Sequence, residues 1–115
     1  MASPSNIIRD LNDRFRQGDA SVPGRVMMTS GVAALIAEQG DPGPASLIQV
    51  VRSFAAFNAK NDPHGEHDFA AFDFLGERLF WKIDYYAKDL QSGSEDPADP
   101  ESTVRVLTIM LASEY

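Results

Sequence analysis

Apolar and polar residues alternate through the middle of the chain and repeat at helical spacing on either side of it. Between Asp68 and Tyr86, Phe72, Phe74, Leu79, Trp81 and Ile83 fall on one side of an extended chain, and Ala71, Asp73, Phe80, Lys82 and Asp84 on the other, because successive strand side chains point to opposite faces. Gly76-Glu77 divides this block, and a two-residue loop with glycine first suits a type II′ turn. The spacing predicts antiparallel strands over 68–75 and 78–86, with Leu75 opposite Arg78, Phe74 opposite Leu79, Phe72 opposite Trp81, Ala70 opposite Ile83 and Asp68 opposite Tyr85. One apolar and one mixed face mark a half-buried pair.

Helical periods flank the hairpin. Ile7, Ile8, Leu11 and Phe15 form a stripe after Ser3-Pro4, which suits an N-cap and first helical position, and Gly18 suits the stop. That predicts a helix over 4–17, with Asp10, Arg14 and Arg16 on its solvated face. Leu47, Ile48, Val51, Phe54 and Ala55 predict a helix over 44–58, with Gln49 and Arg52 facing water, that packs on Trp81. Val104, Leu107, Met110 and Leu111 predict a third over 100–112, with Asp99 as cap and Pro100 at its first position. A short strand is expected near 25–29, one or two helical turns over 33–37, a break at Gly40-Asp41-Pro42-Gly43-Pro44 and a long acidic loop over 88–99. The resulting fold class is α+β: a small antiparallel sheet packed against three helices, in a single domain over 1–115.

Composition narrows the function classes. No cysteine is present among 115 residues, so thiolate and disulfide chemistry are excluded and a reducing cytoplasm is the expected location. The N-terminus lacks the basic and apolar regions of a signal peptide, and no apolar run reaches membrane-spanning length. A net charge of −7 argues against direct nucleic-acid binding, which requires cations to displace counterions. The same charge keeps a protein soluble and suits a basic protein partner. Glycine-rich phosphate loops, Walker patterns and nucleophile elbows are all missing.

The densest chemistry lies just before the hairpin, where Asn61, Asp62, His64, Glu66, His67 and Asp68 fall close together and include both histidines. Histidine beside carboxylate could supply acid–base catalysis, and two histidines with carboxylates could hold a metal through nitrogen and oxygen. His64 and His67 stand three apart, not the four that a helical zinc motif needs, and Pro63 and Gly65 oppose a helix. They are therefore weak metal candidates, and no metal or cofactor is assigned. Asp62-Pro63 and His64-Gly65 are also turn dipeptides, so the group can serve the backbone alone. In the expected register His67 lies opposite Tyr86, and Lys82, Asp84 and Tyr86 extend the cluster along the outer face as a binding surface. Asp68 is expected to organise the loop through a hydrogen-bond network.

Several long stretches resemble one bacterial family. Asn61-Asp62-Pro63-His64-Gly65-Glu66-His67-Asp68-Phe69, Phe80-Trp81-Lys82-Ile83-Asp84-Tyr85-Tyr86, Asp96-Pro97-Ala98-Asp99-Pro100 and Arg105-Val106-Leu107-Thr108-Ile109-Met110-Leu111-Ala112 are similar to the family called domain of unknown function 3768, as is Thr29-Ser30-Gly31-Val32-Ala33-Ala34-Leu35. Ala70 stands where the family pattern has glycine. The resemblance transfers no catalytic residue. It implies a small accessory protein of proteobacterial plasmids and other mobile elements, with a role in element maintenance or in blunting host defence. Two functions from different classes follow. One is a protein-interaction module, as in an acidic inhibitor of a host nuclease complex; a co-regulator acting through another protein is a variant of it. The other is a small metal- or acid–base-dependent enzyme centred on the 61–68 loop.

Overall fold

A mixed four-stranded sheet, ordered β1-β4-β3-β2, organises the chain. The computed structural model describes residues 4–39 and 43–115. Its elements are α1 (Pro4–Arg16), β1 (Gly24–Met28), α2 (Ser30–Gln39), α3 (Pro44–Ser53), β2 (Phe69–Phe74), β3 (Glu77–Tyr86), β4 (Val104–Leu111) and a single 3₁₀ turn over Ala112–Glu114. The fold class is α+β, as the sequence pattern predicts. The expected Ser3 cap and the first part of the break at Gly40-Asp41-Pro42 lie outside the described residues.

The hairpin keeps its predicted faces and changes its register. Phe74 pairs with Glu77, Phe72 with Leu79, Ala70 with Trp81 and Phe69 with Lys82. The turn is therefore Leu75-Gly76 rather than Gly76-Glu77. Both residues take positive φ, 53° and 78°, which is the type I′ geometry and not type II′. The pairing differs by two residues from the expected one. Because strand side chains repeat with period two, that slip leaves Phe72, Phe74, Leu79, Trp81 and Ile83 on the same side.

The third predicted helix is a strand. Residues 104–111 form β4, which pairs antiparallel with β3 and parallel with β1. Val104, Val106, Thr108 and Ile109 are β-branched, and a ladder on both sides outweighs the weak helical stripe. Asp99-Pro100-Glu101 makes a turn in front of it: the Asp99 carboxylate accepts from the Glu101 amide at 2.9 Å, and the Ser102 amide donates to the Asp99 carbonyl at 3.2 Å. The sheet is thus mixed, not wholly antiparallel. β1 can run parallel to β4 because long intervening chain carries it back to the same end of the sheet.

The helices cover one face only. Leu11, Phe15, Val32, Ile36, Leu47 and Val51 join Phe72, Phe74, Leu79, Trp81, Ile83, Leu107 and Ile109 in one buried cluster. Gly18 closes α1 with φ 97°. Its amide bonds the Phe15 carbonyl, and the Asp19 amide bonds that of Arg14, which is a Schellman ending.

α3 stops at Ser53 rather than 58, and Arg16 accounts for the stop. The Arg16 guanidinium, expected on the solvated face of α1, is 4% exposed. Its Nη1 lies 2.8, 3.1 and 3.0 Å from the carbonyls of Val51, Arg52 and Phe54. A cation on the orphan carbonyls of a helix C-terminus satisfies both their hydrogen bonding and the helix dipole. The chain then runs extended through Phe54 and Phe57, whose rings meet Trp81 edge-on at 6.0 Å. Trp81 is fully buried, as expected, but under this segment beyond α3.

The acidic loop is ordered by its own side chains. The Asp89 carboxylate accepts from the Gln91 and Ser92 amides. Ser94 is tied to the Tyr85 carbonyl and to Thr103 Oγ1 at 3.0 and 2.6 Å.

Candidate functional site

The residues expected to form a site divide between two sides of the sheet. Asn61 and Asp62 build the loop. The Asn61 side chain bridges the Asn58 amide and the Ala56 carbonyl, both at 2.8 Å. The Asp62 carbonyl accepts from the Gly65 amide at 3.1 Å, and its carboxylate accepts from the His67 amide at 3.2 Å. Asp62 is therefore the loop organiser, the role expected of Asp68. Side chains that bond turn amides in this way fix a loop without help from a sheet.

His67 points toward α1. Its Nδ1 is 2.8 Å from Asp13 Oδ1, its Nε2 is 3.5 Å from Asp62 Oδ2, and its ring stacks on Phe57 at 3.8 Å with planes 5° apart. Asp13 in turn reaches Arg16 Nη2 at 3.2 Å. The chain Asp62–His67–Asp13–Arg16 links loop, first helix and the end of α3. Both imidazole nitrogens face carboxylates, so a substrate or a metal would have to displace Asp13 or Asp62 to reach the ring. His64 is exposed and does not join them. Among the described residues no group of three or more His, Asp or Glu side chains is arranged to hold a metal ion.

A second polar chain lies deeper. Arg105 is fully buried, on the same face as Leu107 and Ile109. Its Nε donates to Asn12 Oδ1 at 2.6 Å, its Nη2 to the Pro97 carbonyl at 2.6 Å, and its guanidinium sits 5.2 Å from the Tyr85 ring centre. Asn12 donates onward to the Tyr85 hydroxyl at 2.8 Å and to the Glu66 carbonyl at 2.9 Å. Burial pulls Arg105 below its usual range, opposed by Tyr85 and Glu66. Burial also pushes the Tyr85 phenol up to about 12, against the hydrogen bond from Asn12. The phenol stays protonated at neutral pH. Asn12, Asp13, Arg16 and Arg105 were not among the residues expected from the sequence. Their signal was faint: Asn12 and Arg16 lie one turn apart beside the apolar stripe, and Arg105 continues the alternation of Leu107 and Ile109 with the wrong chemistry for a core.

Glu66 and Asp68 are carboxylates held in partly desolvated positions. Burial raises both, and for each a neighbouring acid adds to the rise: Asp68 for Glu66, Asp62 for Asp68. The Asp68 carboxylate meets its own amide and, among the described residues, no other hydrogen-bond donor. A carboxyl raised on folding binds its proton more tightly in the folded state. Its contribution to stability is full in acid and is lost as pH rises through the folded value. Asp68→Asn should therefore be at least as stable as the parent at neutral pH, with any advantage vanishing in acid; denaturant titrations at both pH values measure it. A loss of stability at neutral pH would instead show a partner for the carboxylate.

Lys82, Asp84 and Tyr86 stand on the other side of the sheet. Lys82 Nζ pairs with Asp84 Oδ2 at 2.9 Å, and this hydrogen bond raises the Lys82 pKa. Pairs this exposed contribute little to stability. Their face also carries Phe69, Phe80, Val106 and Thr108. Phe69 and Phe80 meet each other at 5.1 Å and Tyr115 at 5.8 and 5.6 Å. A hollow of about 220 Å³ lies between Arg25, Met27, Tyr86, Leu90 and Val106.

Residues 28–114 match the model of a family described as protein of unknown function (DUF3768). No curated protein and no solved structure matches the chain. The match begins at the end of β1, so Asn12, Asp13 and Arg16 lie before it. Among the described residues no helix is long and apolar enough to cross a membrane.

Proposed function

We propose that this chain, which belongs to the family of proteins of unknown function DUF3768, is a protein-interaction module that binds through the outer face of its sheet. One observation carries the reading. All the helical residues of the core pack on one side, and on the other side Phe69, Phe80, Tyr86 and Val106 are only half buried while Met27 is 54% exposed. Met110 is buried on this face and the Tyr115 ring lies against Phe69 and Phe80, but among the described residues no helix packs over it, and a half-open aromatic and aliphatic sheet face is the usual mark of a contact surface. Lys82 and Asp84 give it a polar centre.

The narrower form of the proposal is a cytoplasmic, acidic inhibitor of a host defence nuclease complex, carried by a mobile element. It is supported by the net charge of −7, which suits a partner that presents a basic surface, and by the resemblance of the chain. The engagement of both His67 nitrogens and the turn role of Asp62 favour the binding module over an enzyme centred on the 61–68 loop.

Cross-linking of the purified protein in bacterial lysate tests the proposal. A specific partner should be lost with Phe80→Asp and Lys82→Glu together and kept with His64→Ala. A partner retained by the double variant would remove the outer face from consideration. Inhibition of a purified nuclease complex, weakened by salt, would establish the narrower form.

A further inference from the structure

Among the described residues the β1 edge of the sheet is a second feature without a partner. β1 ends the sheet. The Pro23 carbonyl accepts from the Arg105 amide and the Thr29 amide donates to the Ile109 carbonyl. In a parallel ladder, residues that bond the neighbour alternate with residues that point away. The odd-numbered residues of β1 thus face β4, and the N–H and C=O groups of Gly24, Val26 and Met28 face outward. Val26 and Met27 are 49% and 54% exposed. An apolar edge with unpaired backbone groups is a template for another strand.

Beside that edge, on the helix side, lies a groove of about 530 Å³ whose apolar wall includes Phe15, Val22, Val26, Ile48, Val51 and Leu107. Phe15 fills the space where a side chain at position 24 would stand, 2.3 Å from an added Cβ, so only glycine leaves the strand and the ring together. Arg52 borders the groove. Its guanidinium carbon lies 3.1 Å from where a Cβ of Gly18 would be, and among the described residues it has no carboxylate partner. The other acid and base on this rim are already engaged. Asp19 is held by Arg14 at 3.0 Å and by Ser21 at 2.6 Å, and Arg16 is spent on the carbonyls that end α3.

We propose that the free edge of β1 and this groove form a strand-addition site for an extended apolar segment of another protein that carries a carboxylate for Arg52. A strand added to β1 bonds Gly24, Val26 and Met28 through its backbone and turns every second side chain into the groove. A second copy of the chain fits less well. Its own β1 supplies Arg25 and no acidic residue between Asp19 and Glu38, so self-pairing brings cations together and leaves Arg52 without a partner, between two molecules each of charge −7. The groove lies across the sheet from the outer face, and its test does not depend on the outcome there.

Fluorescent peptides of about eight residues, alternating Val and Thr with one central Glu, provide the test, beside matched peptides with Gln or Lys in place of Glu. Anisotropy titrations should show the Glu peptide binding about tenfold more tightly than the Gln peptide, a difference of about 1.4 kcal/mol, and Arg52→Gln should abolish that difference. The amides of Gly24, Val26 and Met28 should gain protection from exchange. Val26→Pro should abolish binding of every peptide, because it removes an outward donor without touching the ladder to β4. Should that variant fail to fold, peptides N-methylated at alternate amides serve instead: one set should bind and the other should not. Equal affinity for the Glu and Lys peptides, no protection at the three amides, or self-association of the protein that excludes the peptides would each overturn the proposal.

Discussion

Trp81→Ala should lower the unfolding free energy by roughly 3–5 kcal/mol, a large share of what a domain this size possesses. Trp81 is fully buried, the rings of Phe54 and Phe57 meet it edge-on at 6.0 Å, and the Arg16 guanidinium lies over it at 5.2 Å. Truncation would leave a cavity at the point where β3, the end of α3 and α1 converge. Among the described residues the indole N–H has no hydrogen-bond partner, so Trp81→Phe loses volume but also removes an unsatisfied polar atom, and it should cost much less than alanine. Urea denaturation followed by circular dichroism measures both. A loss below about 1 kcal/mol for the alanine variant would mean that the segment past α3 closes over the gap.

Arg105→Ala should also be strongly destabilising, by roughly 2–5 kcal/mol, for a different reason. The guanidinium holds together residues from three distant parts of the chain: Asn12, Pro97 and the Tyr85 ring. Its removal leaves the buried Asn12 oxygen without its donor and frees the partly exposed Pro97 carbonyl. Arg105→Lys should rescue little, because an ammonium cannot span both acceptors in the fixed fork of a guanidinium. Arg105→Met refills the volume and removes a buried charge, and should fall between alanine and parent. Met as damaging as Ala would locate the whole effect in the lost hydrogen bonds.

These two residues also show where the sequence was legible. Trp81 could be placed because the alternation around it is clean, and its burial does not depend on whether Phe72 or Ala70 stands opposite. The hydrophobic pattern selects a face; it cannot separate two registers that differ by two residues. That choice fell to the turn, where Leu75 takes positive φ beside Gly76, and leucine gives no warning of this. β4 reads as a helix for a related reason. Arg105 sits at a core position of the alternation, so the strand pattern is broken where it would have been decisive, and the helical spacing of Val104, Leu107 and Met110 takes its place. Arg16 reads as solvated by the same logic, since a cation on the carbonyls of a distant helix is invisible until that helix is packed beside it. Within the loop, turn chemistry was readable at Asn61 and Asp62. The Asp13 partner of His67 is not, because Asp13 lies on α1.

The position of β4 has a kinetic consequence. It is the latest strand in the chain, yet it stands between β1 and the β2–β3 hairpin, with Gly24 opposite Arg105. Before residues 104–111 are available, the hairpin can close locally, but β1 has no neighbour in the sheet. Closing so large a loop before any reward from pairing slows folding. As the chain emerges from the ribosome, two unfinished edges wait for the same segment, one of them the apolar β1. The interval before β4 arrives is when this protein is most open to aggregation and to chaperones.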